Sequence, residues 1–172
     1  KSLGVQYVIV GHSDRRKLGE TDEMVAKKMK MAVDAGLIPA LCVGESREEH
    51  DAGRAKEVVE RELRLGLSLL STTYNLQPTT SFAIAYEPIW AISTSKDAVA
   101  DTPEDAANMV LYIKEEIRQL GIIEPLEVLY GGSVNTGNAA GFLHEKEIGG
   151  ALVGGASLKP EEIKAIVAVA RI

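Results

Sequence analysis

The chain has 172 residues, 45% of them hydrophobic, 26% charged and only 5% aromatic, with a mean hydropathy of 0.00. These proportions exclude disordered, collagen-like and low-complexity classes and predict one folded domain over residues 1–172, with a core of Ala, Val, Ile and Leu. A net charge of −6 gives no basic face for nucleic acid, no apolar run approaches the roughly 18 residues of a membrane span, and one Cys with no leader-like start predicts a reducing, cytoplasmic setting.

Short β-branched runs alternate with segments of helical period. Residues 5–10 read as a strand, followed by a polar turn and a helix in which Val25, Met29, Ala32 and Val33 share a face, with Gly36 as its stop. A second strand over 37–43 leads to Ser46 and Glu49, the spacing of a capping box, which is expected to open one long helix striped by Ala55, Val59, Leu63, Leu67 and Leu70. Residues 79–86 read as the third strand, and Thr102 before Pro103 as the start of a helix buried through Ala106, Val110, Ile113, Ile117 and Leu120. A fourth strand over 126–130, a short helix near 138–143, a fifth strand over 151–153 and a last helix from Pro160 through Ile163, Val167 and Ala170 complete the pattern.

Such alternation predicts an α/β fold with a parallel sheet and right-handed crossovers. Five units fall short of a closed eight-stranded barrel. Functional groups in parallel α/β folds gather where strands end, which singles out Gly11-His12-Ser13-Asp14, Cys42-Val43-Gly44-Glu45, Tyr86-Glu87-Pro88, Tyr130-Gly131-Gly132-Ser133 and Val153-Gly154-Gly155. An imidazole and a carboxylate from different strands supply an electrophile or acid and a base, and paired glycines let backbone amides approach a phosphate. Taken alone, His12 reads more readily as a hydrogen-bonded strand-end histidine. His50 and His144 read as solvated, Cys42 as structural, Trp90 as packing, and Arg15 and Arg16 as partners of carboxylates.

The segments Tyr86-Glu87-Pro88-Ile89-Trp90-Ala91-Ile92, Tyr130-Gly131-Gly132-Ser133-Val134 and Leu152-Val153-Gly154-Gly155-Ala156-Ser157-Leu158 occur in the order seen in the triosephosphate isomerase family. The chain resembles that family from its fourth barrel strand onward. The resemblance implies a partial TIM barrel of about five parallel β/α units. It also implies a role in glycolysis and gluconeogenesis: interconversion of dihydroxyacetone phosphate and glyceraldehyde 3-phosphate through an enediolate, with no metal and no organic cofactor. Glu87 then matches the base, His12 the neutral imidazole that polarises the carbonyl, residues 88–96 the lid, and Ser93, Ser133, Gly154 and Gly155 the phosphate-binding positions. Asp14 stands where the family has Glu, and Ser93-Thr94-Ser95 where it has Gly-Thr-Gly.

The family's substrate-binding Asn and Lys belong to a strand before the matching portion, so slow turnover by this chain alone is expected. Two readings stay open: an isomerase chain that needs complementation, or a weakly active, self-associating scaffold for a phosphate-like anion. The outer strands lack their family neighbours, so a homo-oligomer joined through exposed barrel edges is the expected assembly.

Overall fold

The computed structural model describes residues 2–74, 82–92, 99–122 and 126–170. Five parallel strands, β1 (Tyr7–Val10), β2 (Ile38–Val43), β3 (Ala83–Tyr86), β4 (Val128–Tyr130) and β5 (Gly150–Ala151), pair in sequence order with β1 and β5 at the edges. Each crossover adds its strand on the same side of the last. That is the winding of a barrel wall rather than of a doubly wound sheet.

The helices are α1 (Ser13–Lys17), α2 (Asp22–Asp34), α3 (Arg47–Asp51), α4 (Ala55–Tyr74), α5 (Pro103–Gln119), α6 (Ala139–Leu143) and α7 (Pro160–Val169). Thr21 and Thr102 cap α2 and α5 by accepting backbone N–H groups, and Pro103 occupies the first turn of α5 as expected. Gly36, Gly53 and Gly121 adopt positive φ just beyond α2, α3 and α5, where the next amide turns back onto the helix, as Leu37 does to the Ala32 carbonyl.

One face of the sheet, carrying Val10, Leu41, Val43, Ile84, Tyr86, Val128 and Tyr130, packs on Val25 and Met29 of α2, Val59, Leu63, Leu67 and Leu70 of α4, and Val110, Ile113 and Ile117 of α5. Burial of these side chains, at about 25 cal/mol per Å² of apolar surface, is the main stabilising term. The opposite face differs across the sheet. Its central Cys42 and Ala85 are fully buried, whereas Tyr7 and Ile9 on β1 are 63% and 52% exposed.

Several sequence expectations are corrected. The strands are shorter than the apolar runs, and 79–81 lie outside the described residues. The capping box at Ser46 opens only the five-residue α3, because the chain turns at Gly53 before α4 begins. The charged segment after His12 forms α1, a helix too short to show an apolar period. In α7 the buried residue is Ile166, while Val167 is 55% exposed.

Candidate active site

The site sits beyond the carboxyl ends of the strands. Gly11 ends β1 with φ 77°, and a Cβ there would come 3.2 Å from the Cys42 carbonyl oxygen. This turn presents His12 as the N-cap of α1, where its Nδ1 accepts the Asp14 N–H at 3.1 Å. An imidazole accepting at Nδ1 carries its proton on Nε2, so the ring is neutral in this bond and points an N–H outward. Nε2 lies 3.0 Å from Glu87 Oε1.

Glu87, just past β3, is 3% exposed. Its Oε2 accepts the Ser13 N–H at 3.0 Å and its Oε1 the Ser13 hydroxyl at 2.9 Å. Burial raises its pKa above the ordinary carboxylate value, although the Ser13 bonds and His12 oppose the rise. Three consecutive groups of the sequence, His12, Ser13 and the Asp14 amide, thus fix both the orientation of the ring and the carboxylate facing it.

Beside this pair lies a cavity of about 490 Å³, bordered by Ile9, Gly131–Asn135 after β4 and Leu152–Ala156 after β5. Gly132 packs so tightly that a Cβ would fall 2.2 Å from the Tyr130 hydroxyl, whereas a Cβ at Gly154 or Gly155 would meet nothing within 4 Å. The loop after β4 is braced by Asn138, whose Nδ2 donates to the Ser133 carbonyl at 2.8 Å and whose Oδ1 accepts the Asn135 N–H at 2.8 Å. The Ser133 amide donates to the Ala91 carbonyl at 3.3 Å. Its buried hydroxyl has no partner among the described residues. Lys159 borders the cavity too, 2.8 Å from Glu162.

The structure therefore brings His12, Glu87, Ser133, Gly154 and Gly155 to one cavity or its wall. Ser93, and with it residues 93–96 of the expected lid segment, lie outside the described residues. Within the described part, Trp90 is buried and donates from Nε1 to Glu45 Oε1 at 2.6 Å. Glu45 is fully buried and also accepts from the Tyr86 hydroxyl at 3.2 Å. His50 is not simply solvated: its ring centroid is 4.2 Å from that of Trp90 and its Nδ1 is 3.5 Å from Glu45. His144 is exposed, with Nε2 3.2 Å from the Val169 carbonyl oxygen. Arg15 pairs with Glu20 and Arg16 with Asp22 and Glu62, as carboxylate partners should. Cys42 is buried and burial pushes its thiol pKa up, which keeps it protonated and inert. Ser13 and Glu45 lie within the strand-end motifs singled out by sequence, though no bond of theirs is legible there, and nothing local marks Glu62 inside a helix.

Among the described residues no group of three or more His, Cys, Asp or Glu is placed to hold a metal ion, and no helix is long and apolar enough to cross a membrane.

The triosephosphate isomerase family model matches residues 1–170. The chain belongs to the triosephosphate isomerase family. It is 43% identical over 168 residues to the triosephosphate isomerase of Dictyoglomus thermophilum, covering 97% of this chain and 66% of that protein. The triosephosphate isomerase of Aquifex aeolicus is 44% identical over 170 residues, with 97% and 66% covered, and that of Histophilus somni strain 129Pt is 43% identical over 173 residues, with 99% and 65% covered. The chain thus spans about 65% of the length of these relatives. The five-unit open sheet is a partial barrel of this family's kind.

Proposed function

We propose that this chain carries the proton-transfer and phosphate-binding parts of a triose phosphate isomerase site and works in the cytoplasm. In this reading the Glu87 carboxylate takes a proton from the carbon next to the carbonyl of dihydroxyacetone phosphate. His12 donates its Nε2 hydrogen bond to the carbonyl oxygen, where negative charge develops. His12 gives its Nε2 proton to the former carbonyl oxygen and takes one from the neighbouring hydroxyl, and the protonated Glu87 returns its proton to the carbon that bore the carbonyl, giving glyceraldehyde 3-phosphate. Glu87 and His12 supply the base and the electrophile, so no metal or organic cofactor is required. The amides of Gly154 and Gly155 and the hydroxyl of Ser133 face the phosphate, with Ser93 a further ligand.

The observation that carries this reading is the His12–Glu87 contact at 3.0 Å with Nδ1 already occupied by the Asp14 N–H. A bland structural pair would not need the ring held in one tautomer against a carboxylate with a raised pKa. Lys159 is the one Lys or Arg among the described cavity residues, set against Asp14, Glu87 and Glu162. A doubly charged phosphate and a developing oxyanion therefore find little positive charge, and turnover by this chain alone is expected to be slow. A coupled isomerase assay on purified chain, with Glu87→Gln as the control, tests the function. Turnover that falls by about 10³-fold in the variant supports it, and equal rates in the two proteins contradict it.

A second reading, a self-associating phosphate-binding scaffold, draws on the apolar surface of β1 and the segment leading into it, where Val5, Tyr7 and Ile9 are 47%, 63% and 52% exposed beside an unpaired strand edge. Such a surface favours a second copy as its cover. Sedimentation equilibrium separates the outcomes: a mass that rises with concentration supports association through β1, and a constant mass of 18.5 kDa contradicts it.

A further inference from the structure

Behind the reacting pair lies a buried charged network that the proposed chemistry does not touch. Arg16, on α1, donates from Nε to the Gly11 carbonyl at 2.8 Å and from Nη1 to Asp22 at 2.6 Å. The same Nη1 lies 3.3 Å from Oε1 of Glu62, whose side chain is 6% exposed. Glu62 reaches in from α4, and its Oε2 accepts the Gly44 N–H at 3.0 Å. Gly44 in turn abuts the base, since a Cβ there would stand 2.0 Å from the Glu87 carbonyl oxygen.

The two oxygens of one carboxylate therefore join the end of β2 to α1. That helix is the element that His12 caps and that Ser13 begins. We propose that Glu62 is a positioning residue, which with Arg16 clamps α1 against the β2 end so that His12, Ser13 and Glu87 meet.

Accepting the Gly44 N–H would need only a neutral amide. The carboxylate adds the hold on Arg16, and through it on the Gly11 carbonyl immediately before His12. Burial opposes that charge and pushes the Glu62 carboxyl up to about 7, so the clamp changes its charge near neutral pH. The groups facing it are Arg16 from α1, Asp22 from α2, Arg61 from its own helix and the Gly44 amide. Cys42 of β2 feels both Glu87 and Glu62.

The inference rests on reading His12 and Glu87 as the reacting pair, but its test reads placement rather than turnover. An inactive chain would sink the functional reading alone. Amide proton and nitrogen shifts of Gly44 and Ser13 are followed from pH 5 to 9 in the Glu87→Gln chain, which silences titration of the base, with and without Glu62→Gln. The clamp predicts that both amides move with one shared midpoint, close to 7, and that Glu62→Gln removes both steps while Gly44 keeps its bond. A Ser13 amide that stays flat while Gly44 titrates, that still titrates after Glu62→Gln, or a pair of amides that both stay flat before that substitution, would overturn it. Should Glu62→Gln fail to fold, the Glu87→Gln titration decides on the shared midpoint alone.

Discussion

The proposed proton-transfer end and the proposed phosphate end of the cavity are built in opposite ways. At the first, every polar group is already engaged: His12 Nδ1 with the Asp14 N–H, His12 Nε2 with Glu87, and both Glu87 oxygens with Ser13. At the second, the wall is mostly backbone, the space beside Gly154 and Gly155 is open, and the buried Ser133 hydroxyl is unpaired among the described residues. A reacting pair gains from being fixed before substrate arrives. A binding loop instead keeps donors unspent until an anion meets them, at the stability cost of leaving polar atoms without partners.

If that contrast is right, the largest effect belongs to the buried acids Glu62 and Glu87 at and behind the proposed proton-transfer end, with the partly buried Asp101, just before α5, adding to it. Glu62 is pushed up to about 7 and Asp101 up to about 6, and Glu87 is raised as well. A carboxyl with a raised folded-state pKa holds its proton while the unfolded chain has released it. Its contribution is therefore complete below the unfolded value, near 4.5 for Glu62, and is lost as pH rises through the folded one. Stability by urea unfolding is expected to fall between pH 5 and pH 8. Glu62 accounts for about 3 kcal/mol of that fall at most, and Glu62→Gln should remove this share while Asp101 and Glu87 keep theirs. A profile unchanged by Glu62→Gln would mean that Glu62 does not titrate as described.

The next effect sharpens the phosphate end. Gly132→Ala places a methyl 2.2 Å from the Tyr130 hydroxyl, so either the loop or the ring, stacked on Phe142 at 4.1 Å, must move. Overpacking of this kind costs about 2 kcal/mol, and inorganic phosphate affinity, measured by calorimetry, should fall with it. Unaltered stability and affinity would show a looser loop than the contacts imply.

The smallest effect is the most discriminating. Ser133→Ala removes a hydroxyl that has no partner among the described residues. Stability should hold or rise by about 1 kcal/mol, while phosphate affinity falls. Ser13→Ala, by contrast, strips a 2.9 Å bond from Glu87 and should lower stability. Two serines at the two ends would then respond with opposite signs.

The sequence made the helical faces, the caps and the strand-end motifs legible because these rest on short spacing. The 3.6-residue recurrence of Val59, Leu63, Leu67 and Leu70 and the Thr102-Pro103 start both reappear in the structure. His12 and Glu87 were legible as candidates, since each directly follows or closes a strand run, and they do meet. Their bonding was not. Ser13 reaches Glu87 across 74 positions of sequence and Glu62 reaches Gly44 from the middle of a helix, and no local pattern encodes such pairings. His50 looks solvated in its polar helix for the same reason, until Trp90, from the turn after β3, lies against it.

Exchange at the substrate carbon tests the central claim, that Glu87 moves a proton with His12 as its electrophilic partner, most directly. The chain is incubated with dihydroxyacetone phosphate in deuterium oxide, and loss of the carbon-bound proton signal is followed by NMR for the unaltered chain, Glu87→Gln and His12→Gln. The unaltered chain is expected to incorporate deuterium faster than buffer, Glu87→Gln to return to the buffer rate, and His12→Gln to slow exchange. Incorporation at the same rate in the unaltered chain and in Glu87→Gln would contradict it.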